Sequence, residues 1–94
     1  MLTEGITVEL KKEYTDDIKK TIVAFANTSG GQLYVGVDDD GAPVGLADID
    51  GTMLQITNTI RDSIRPDMTM FTTCERVAID GKEVVLVTVQ QGTA

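Results

Sequence analysis

The chain has 94 residues, 41 % apolar and 24 % charged, and its eight Lys and Arg against fifteen Asp and Glu give a net charge of -7. That length fits one small domain, and the lone Cys74 excludes an internal disulfide. The absence of His excludes Ser–His and Cys–His catalysis in cis, His-bearing zinc sites and a histidine general base.

Ile6, Val8 and Leu10 alternate with Thr7, Glu9 and Lys11, which predicts a half-buried strand with Glu9 and Lys11 sharing one face. Thr15 is expected to cap a first helix whose opening turn holds Asp16 and Asp17. Ile18, Ile22, Phe25 and Ala26 follow at helical spacing, and Asn27-Thr28-Ser29-Gly30-Gly31 should end that helix. Leu33, Val35 and Val37 form a second strand; Asp38-Asp39-Asp40-Gly41 turns the chain into a short third strand from Pro43 to Leu46.

Asp48 or Asp50 caps a second helix with an apolar stripe of Met53, Ile56, Ile60 and Ile64. Pro66 ends it, with Arg65 in the last turn. Thr72 to Ile79 and Val84 to Val89 read as strands joined at Asp80-Gly81, a hairpin signal. Val84 to Val87 are apolar on both faces, as in an interior strand. The order β-α-β-β-α-β-β describes one α+β domain, with two helices packed on a mixed, mostly antiparallel sheet. The ending Gln90-Gln91-Gly92-Thr93-Ala94 has neither a terminating helix nor a charged tail, so residues 1–94 are expected to be the N-terminal part of a longer protein.

No apolar run reaches the ~20 residues of a membrane span, and the N-terminus lacks the regions of a signal peptide. With the single Cys, these features point to the cytoplasm and to no membrane partner. The sequon Asn27-Thr28-Ser29 is then idle.

Three constellations could carry chemistry. Glu4, Glu9 and the Asp38–Asp40 run are oxygen donors of the kind that suits Mg²⁺ or Mn²⁺. Taken by spacing alone, Asp-Asp-Asp-Gly is a turn. Gly30-Gly31 could offer backbone amides to a phosphate, although a helix C-cap accounts for it equally well and no Walker or dinucleotide fingerprint occurs. Lys11 and Lys12, Lys19 and Lys20, and the pair Arg61 and Arg65 could contact phosphates. Lys19 and Lys20 are expected to be satisfied by Asp16 and Asp17, which leaves Arg61 and Arg65 freer, with Asp62 as their one acidic neighbour. Cys74 has no surroundings that would activate a thiolate.

The acid excess is local. Residues 21–58 hold five Asp and no Lys or Arg, whereas residues 1–20 and 59–94 each hold four basic and five acidic residues. A phosphate-facing surface is therefore expected at the first strand and at the end of the second helix.

The ordered motifs are V-E-L-K at Val8–Lys11, A-F-A-N-T-S-G-G at Ala24–Gly31, V-G-V-D-D-D-G at Val35–Gly41 and V-G-L at Val44–Leu46. I-x-N-x-I-R-x-x-I-x-P at Ile56–Pro66 and D-G-K-E-V-V-L-V-T-V at Asp80–Val89 complete the set. Across residues 4–90 it resembles the Schlafen AlbA-like domain, the "divergent AAA" module at the N-terminus of bacterial transcriptional regulators and RecG-like helicase-related proteins. The resemblance implies an Alba-like fold, binding to DNA or RNA without a required cofactor, and C-terminal partner domains such as winged helices. Leu10 stands where the family's E-F-K motif has Phe.

Some animal Schlafens of similar fold are metal-dependent RNases with three carboxylates, which match Glu4, Glu9 and Asp39 here; under that alternative these residues would be catalytic and hold Mg or Mn. The first expectation is a DNA-binding module contacting phosphates through Lys11, Lys12, Arg61 and Arg65. The alternatives are a non-catalytic dimerisation or sensing module, with a homodimer as partner, and the metal-dependent RNase.

Overall fold

The computed structural model describes Leu2, residues 4–63 and residues 72–91. Its elements are β1 (Val8–Lys11), α1 (Ile18–Ala26), β2 (Gly31–Val35), α2 (Ile49–Ser63), β3 (Thr72–Ile79) and β4 (Lys82–Val89). The strands form one sheet in the order β1-β2-β4-β3. β1 and β2 are parallel, whereas β4 runs antiparallel to both β2 and β3. A parallel pair needs a crossover, and α1 supplies it. The two helices on a mixed sheet are those expected from the periodicities. Arg65, and Pro66 as the stop of α2, lie outside the described residues.

Two apolar clusters sandwich the sheet. On the helix side Ile18, Ile22, Phe25 and Ala26 of α1 and Ile56 and Ile60 of α2 meet Leu33, Val35, Val85, Val87 and Val89. On the other side Leu10, Val37 and Val84 are buried, with Leu2, Val8, Tyr34, Val77 and Ile79 packed around them. β4 feeds both clusters, so its Val-rich run is apolar on both faces. Each fully buried aliphatic side chain contributes about 1.5–3 kcal/mol.

The first strand is shorter than the alternation implies. Gly5 and Val8 close a tight turn through hydrogen bonds in both directions, Gly5 N–H to Val8 O at 3.0 Å and Val8 N–H to Gly5 O at 3.4 Å. Ile6 therefore sits at the turn, 89 % exposed, rather than on the apolar face of a strand. The residues before the turn double back beside β1: Glu4 Oε2 accepts the Leu10 N–H at 3.2 Å, and the Leu2 N–H reaches Gly41 O. One edge of the sheet is thus met by its own N-terminal segment.

α1 is entered through a tight turn in which Ile18, Lys19 and Lys20 donate to the carbonyls of Thr15, Asp16 and Asp17. Asp17 occupies the cap position without a side-chain hydrogen bond, so Thr15 is not the cap expected. At the other end the Gly30 N–H donates to Phe25 O at 2.8 Å and Thr28 Oγ1 to Ala24 O at 2.9 Å. The Asp-rich turn is an Asx arrangement: Asp38 Oδ1 accepts the N–H groups of Asp40 and Ala42, each at 3.0 Å. The hairpin beyond it takes the form of one antiparallel bridge, Val37 to Pro43, after which the Leu46 N–H donates to Glu83 O. Asp48 caps α2 by accepting the Gly51 N–H at 3.0 Å. Asp80 and Gly81 both have positive φ, the type I′ turn that a two-residue hairpin favours.

Candidate nucleic-acid interface and carboxylate cluster

β1 is an edge strand, and its two charged side chains leave it on one face. Glu9 lies opposite Leu33 and Lys11 opposite Val35, so both side chains lean to the helix side of the sheet beyond the reach of the core. They do share a face: Lys11 Nζ is 3.9 Å from Glu9 Oε2. Lys11 also sets the course of the chain after β2, because its carbonyl accepts the N–H of Gly36 at 2.7 Å and of Val37 at 3.1 Å. That crossing holds the Asp38–Asp40 turn beside the end of β1. Glu4 arrives from the opposite direction, carried by the Gly5–Val8 turn.

Glu4 and Asp39 consequently both come near Glu9. Burial pushes the Glu9 carboxyl above its ordinary value of 4.5; the hydrogen bond and negative charge of Glu4 and the charge of Asp39 raise it further, against a lowering by Lys11. A divalent cation would relieve this crowding, and carboxylates are the correct donors for Mg²⁺ or Mn²⁺. The arrangement nevertheless does not fit one. Glu4 Oε2 is engaged by a backbone N–H, Glu9 faces an ammonium group, and among the described residues no three acidic, His or Cys side chains converge to hold a metal ion.

The basic residues do not form one patch. Lys12 is exposed just past β1, Lys20 is exposed and Lys19 half-buried in the first turn of α1. Among the described residues neither Lys19 nor Lys20 pairs with Asp16 or Asp17 (contrary to the i,i+3 and i,i+4 spacing), while Asp16 accepts a hydrogen bond from the Tyr14 hydroxyl. Arg61 is more engaged than its spacing implied: its Nε donates to Asp62 Oδ1 at 3.1 Å and its Nη2 to Asn58 Oδ1 at 2.6 Å. α2 packs on β3 and β4, so Arg61 belongs to the other end of the strand order from Lys11 and Lys12, which lie at the β1 edge. Arg65 lies outside the described residues.

The glycine pair is packing, not an open cradle. A Cβ on Gly30 would fall 2.6 Å from Val89 O, and one on Gly31 2.6 Å from the Phe25 ring. Cys74 is half-buried and its thiol is pushed up by burial, as expected of an unreactive strand residue. An open depression of about 340 Å³ beside Leu2, Pro43 and Ile79 has Asp80 as its one titratable lining residue. It lacks the convergent polar groups of a substrate pocket. No helix among the described residues is long and apolar enough to cross a membrane.

Two polar features escaped the sequence reading. Tyr14 Oη and Thr59 Oγ1 are 2.5 Å apart, linking the loop before α1 to a buried face of α2. Arg76 of β3 pairs with Asp50 of α2 and, at 3.6 Å, with Glu83 of β4.

The family model described as Schlafen, AlbA_2 matches residues 4–94. The chain belongs to the Schlafen AlbA_2 family. Among solved structures, this Schlafen AlbA_2 domain is similar to the N-terminal domain of an ATP-dependent DNA helicase RecG-related protein from Nitrosomonas europaea, at 25 % identity and a TM-score of 0.81. That match covers 98 % of this chain and 67 % of the other. The DIP2311 protein from Corynebacterium diphtheriae shares the fold at 22 % identity and a TM-score of 0.64, over 93 % of this chain and 21 % of that one. None of the curated proteins matches the chain.

Proposed function

We propose that this Schlafen AlbA_2 domain is a nucleic-acid-binding module, reading DNA through its phosphates within a bacterial transcriptional regulator that adds C-terminal domains. The observation that carries the reading is the family match over residues 4–94, together with a fold similar to the N-terminal domain of a RecG-related DNA helicase protein. Lys12 is the most accessible cation at the end of β1, with Lys11 behind it. Arg61 and Arg65 would form a second contact on the α2 side.

Binding of this kind is steeply salt dependent, each phosphate contact adding about 0.9 to the slope of log K against log salt. Fluorescence anisotropy of a labelled duplex, titrated with the chain at two salt concentrations, tests it. Lys12→Glu should weaken binding at least about tenfold at low salt and flatten the slope by about one contact. Absence of affinity at low salt, or equal affinity in a folded Lys12→Glu variant, refutes the reading. The second reading is the metal-dependent RNase, which would rest on Glu9 with Glu4 and Asp39 near enough to raise its carboxyl, and a companion experiment separates it. Cleavage of structured RNA in Mn²⁺ or Mg²⁺ that Glu9→Ala abolishes would replace binding by catalysis.

A further inference from the structure

The two edges of the sheet are treated differently. The β1 edge is met by Gly5 at Val8 and by the Glu4 carboxylate at the Leu10 N–H. β3 pairs with β4 at eight consecutive positions, from Thr72↔Val89 to Ile79↔Lys82, with no bulge and no proline. A type I′ turn closes on a hydrogen-bonded pair, here Ile79 and Lys82, and antiparallel pairs then alternate. The backbone groups of Ile79, Val77, Glu75 and Thr73 therefore face β4. Those of Ala78, Arg76, Cys74 and Thr72 point outward, and among the described residues no backbone group meets them. A long, regular edge of this kind is a template for another strand.

Of the two charges on this strand, that of Arg76 is already neutralised by Asp50 and Glu83, which leaves Glu75. An apolar side chain flanks the same edge. Asp50 meets Arg76 and Thr57 lies against Cys74, so that face of α2 looks toward β3. Leu54 falls four residues after Asp50 and three before Thr57, on the same face, and is 61 % exposed.

We propose that the outer edge of β3 is where a second copy of this chain adds, antiparallel and about a two-fold axis at Cys74, to make one continuous sheet. The geometry favours a second copy over an unrelated strand. α2 packs on β3 and β4 alike, above the middle of that pair. With strands about 4.8 Å apart the axis lies about 2.4 Å beyond β3, which sets α2 and its mate about 9–10 Å apart. That is the distance at which two helices pack, about 8–10 Å, and Leu54 would lie between them.

The charges exclude the two registers centred on charged residues. Symmetry about an axis normal to the sheet keeps each side chain on its own face. Centring on Glu75 sets Glu75 against the partner's Glu75, and centring on Arg76 opposes two guanidiniums. Centring on Cys74 sets Glu75 against the partner's Thr73 and Arg76 against the partner's Thr72, with no like charges opposed.

Sedimentation equilibrium of the 94-residue chain at tens of micromolar should then give twice the monomer mass. Leu54→Glu, at an exposed position that leaves the fold intact by circular dichroism, should weaken association at least about tenfold. Thr73→Cys with Glu75→Cys, in a Cys74→Ala background, should yield a disulfide-linked dimer on oxidation, since these positions face one another at a non-hydrogen-bonded pair. A monomer throughout the concentration range overturns the proposal, as does a dimer indifferent to Leu54→Glu. A dimer that Leu54→Glu dissociates but oxidation does not link overturns the register. DNA binding by a strict monomer would leave the functional reading standing while removing this one.

Discussion

Gly31→Ala distinguishes a structural glycine pair from a phosphate cradle. The added methyl would lie 2.6 Å from one atom of the Phe25 ring and 2.7 Å from two others, about 1 Å inside normal carbon contact. Phe25 has little room to swing away, being only 7 % exposed within the core cluster that the helices form on β2 and β4. The cost is that of an overpacked core, about 1–3 kcal/mol. A domain of this length shifts its melting temperature by about 4–8 °C per kcal/mol, so a loss of at least 4 °C is expected.

Urea unfolding followed by circular dichroism measures it, and a double-mutant cycle with Phe25→Leu supplies the control. Removing the ring makes room for the methyl, so Gly31→Ala should cost at least about 0.5 kcal/mol less in the Phe25→Leu background. Additive costs would mean that the ring is not what the methyl meets. A Gly31→Ala protein of unchanged stability that loses DNA affinity would refute the packing account outright and restore the phosphate cradle.

Glu9 gives a pH signature. Its folded carboxyl titrates above 4.5, so the folded state binds more protons than the unfolded one as pH rises through that window. Its contribution is complete below 4.5 and is lost as pH rises through the folded value. Glu9→Gln should therefore raise stability at pH 7 relative to wild type, with the difference vanishing near pH 4 in paired urea titrations; a variant less stable at pH 7 contradicts this. Tyr14→Phe removes the hydroxyl that meets Thr59, a side chain 7 % exposed, and leaves its Oγ1 without that partner. A loss of about 1–3 kcal/mol is expected, and adding Thr59→Val should recover part of it. Additivity of the two changes would show that the pair is not coupled.

The elements most legible in the sequence are those whose side chains alternate between water and core. Ile18, Ile22, Phe25 and Ala26 declare α1, and the Val run of β4 declares an interior strand, because periodicity records burial directly. Ile6 shows where that inference fails. The alternation continues through it, yet the backbone reverses at Gly5–Val8, and a period-2 pattern carries no mark of a turn lying inside it. The site was legible in part. The resemblance groups Glu4, Glu9 and Asp39; the structure sets Glu4 and Asp39 near Glu9, without the three converging to hold a metal ion among the described residues. That Glu4 serves as an acceptor for the Leu10 N–H depends on the reversal and has no sequence signal. Arg61 looked free because charge spacing counts Asp62 and overlooks the amide of Asn58. The Tyr14–Thr59 contact joins residues 45 positions apart, beyond the reach of any local rule.

The acidity of residues 21–58 acquires a different meaning once its carboxylates are traced. Asp38 closes the turn, Asp48 caps α2 and Asp50 holds Arg76. These three charges stabilise backbone and strand positions, so they reflect the demands of turns and caps and say little about a ligand. Asp40 is exposed, and Asp39 presses on Glu9 beside Lys11. A polyanion approaching the end of β1 thus meets two lysines with carboxylates close behind them. Net charge opposes such an approach only where unpaired acids face the ligand. At the end of β1 that place is widened by Glu13, exposed directly beside Lys12.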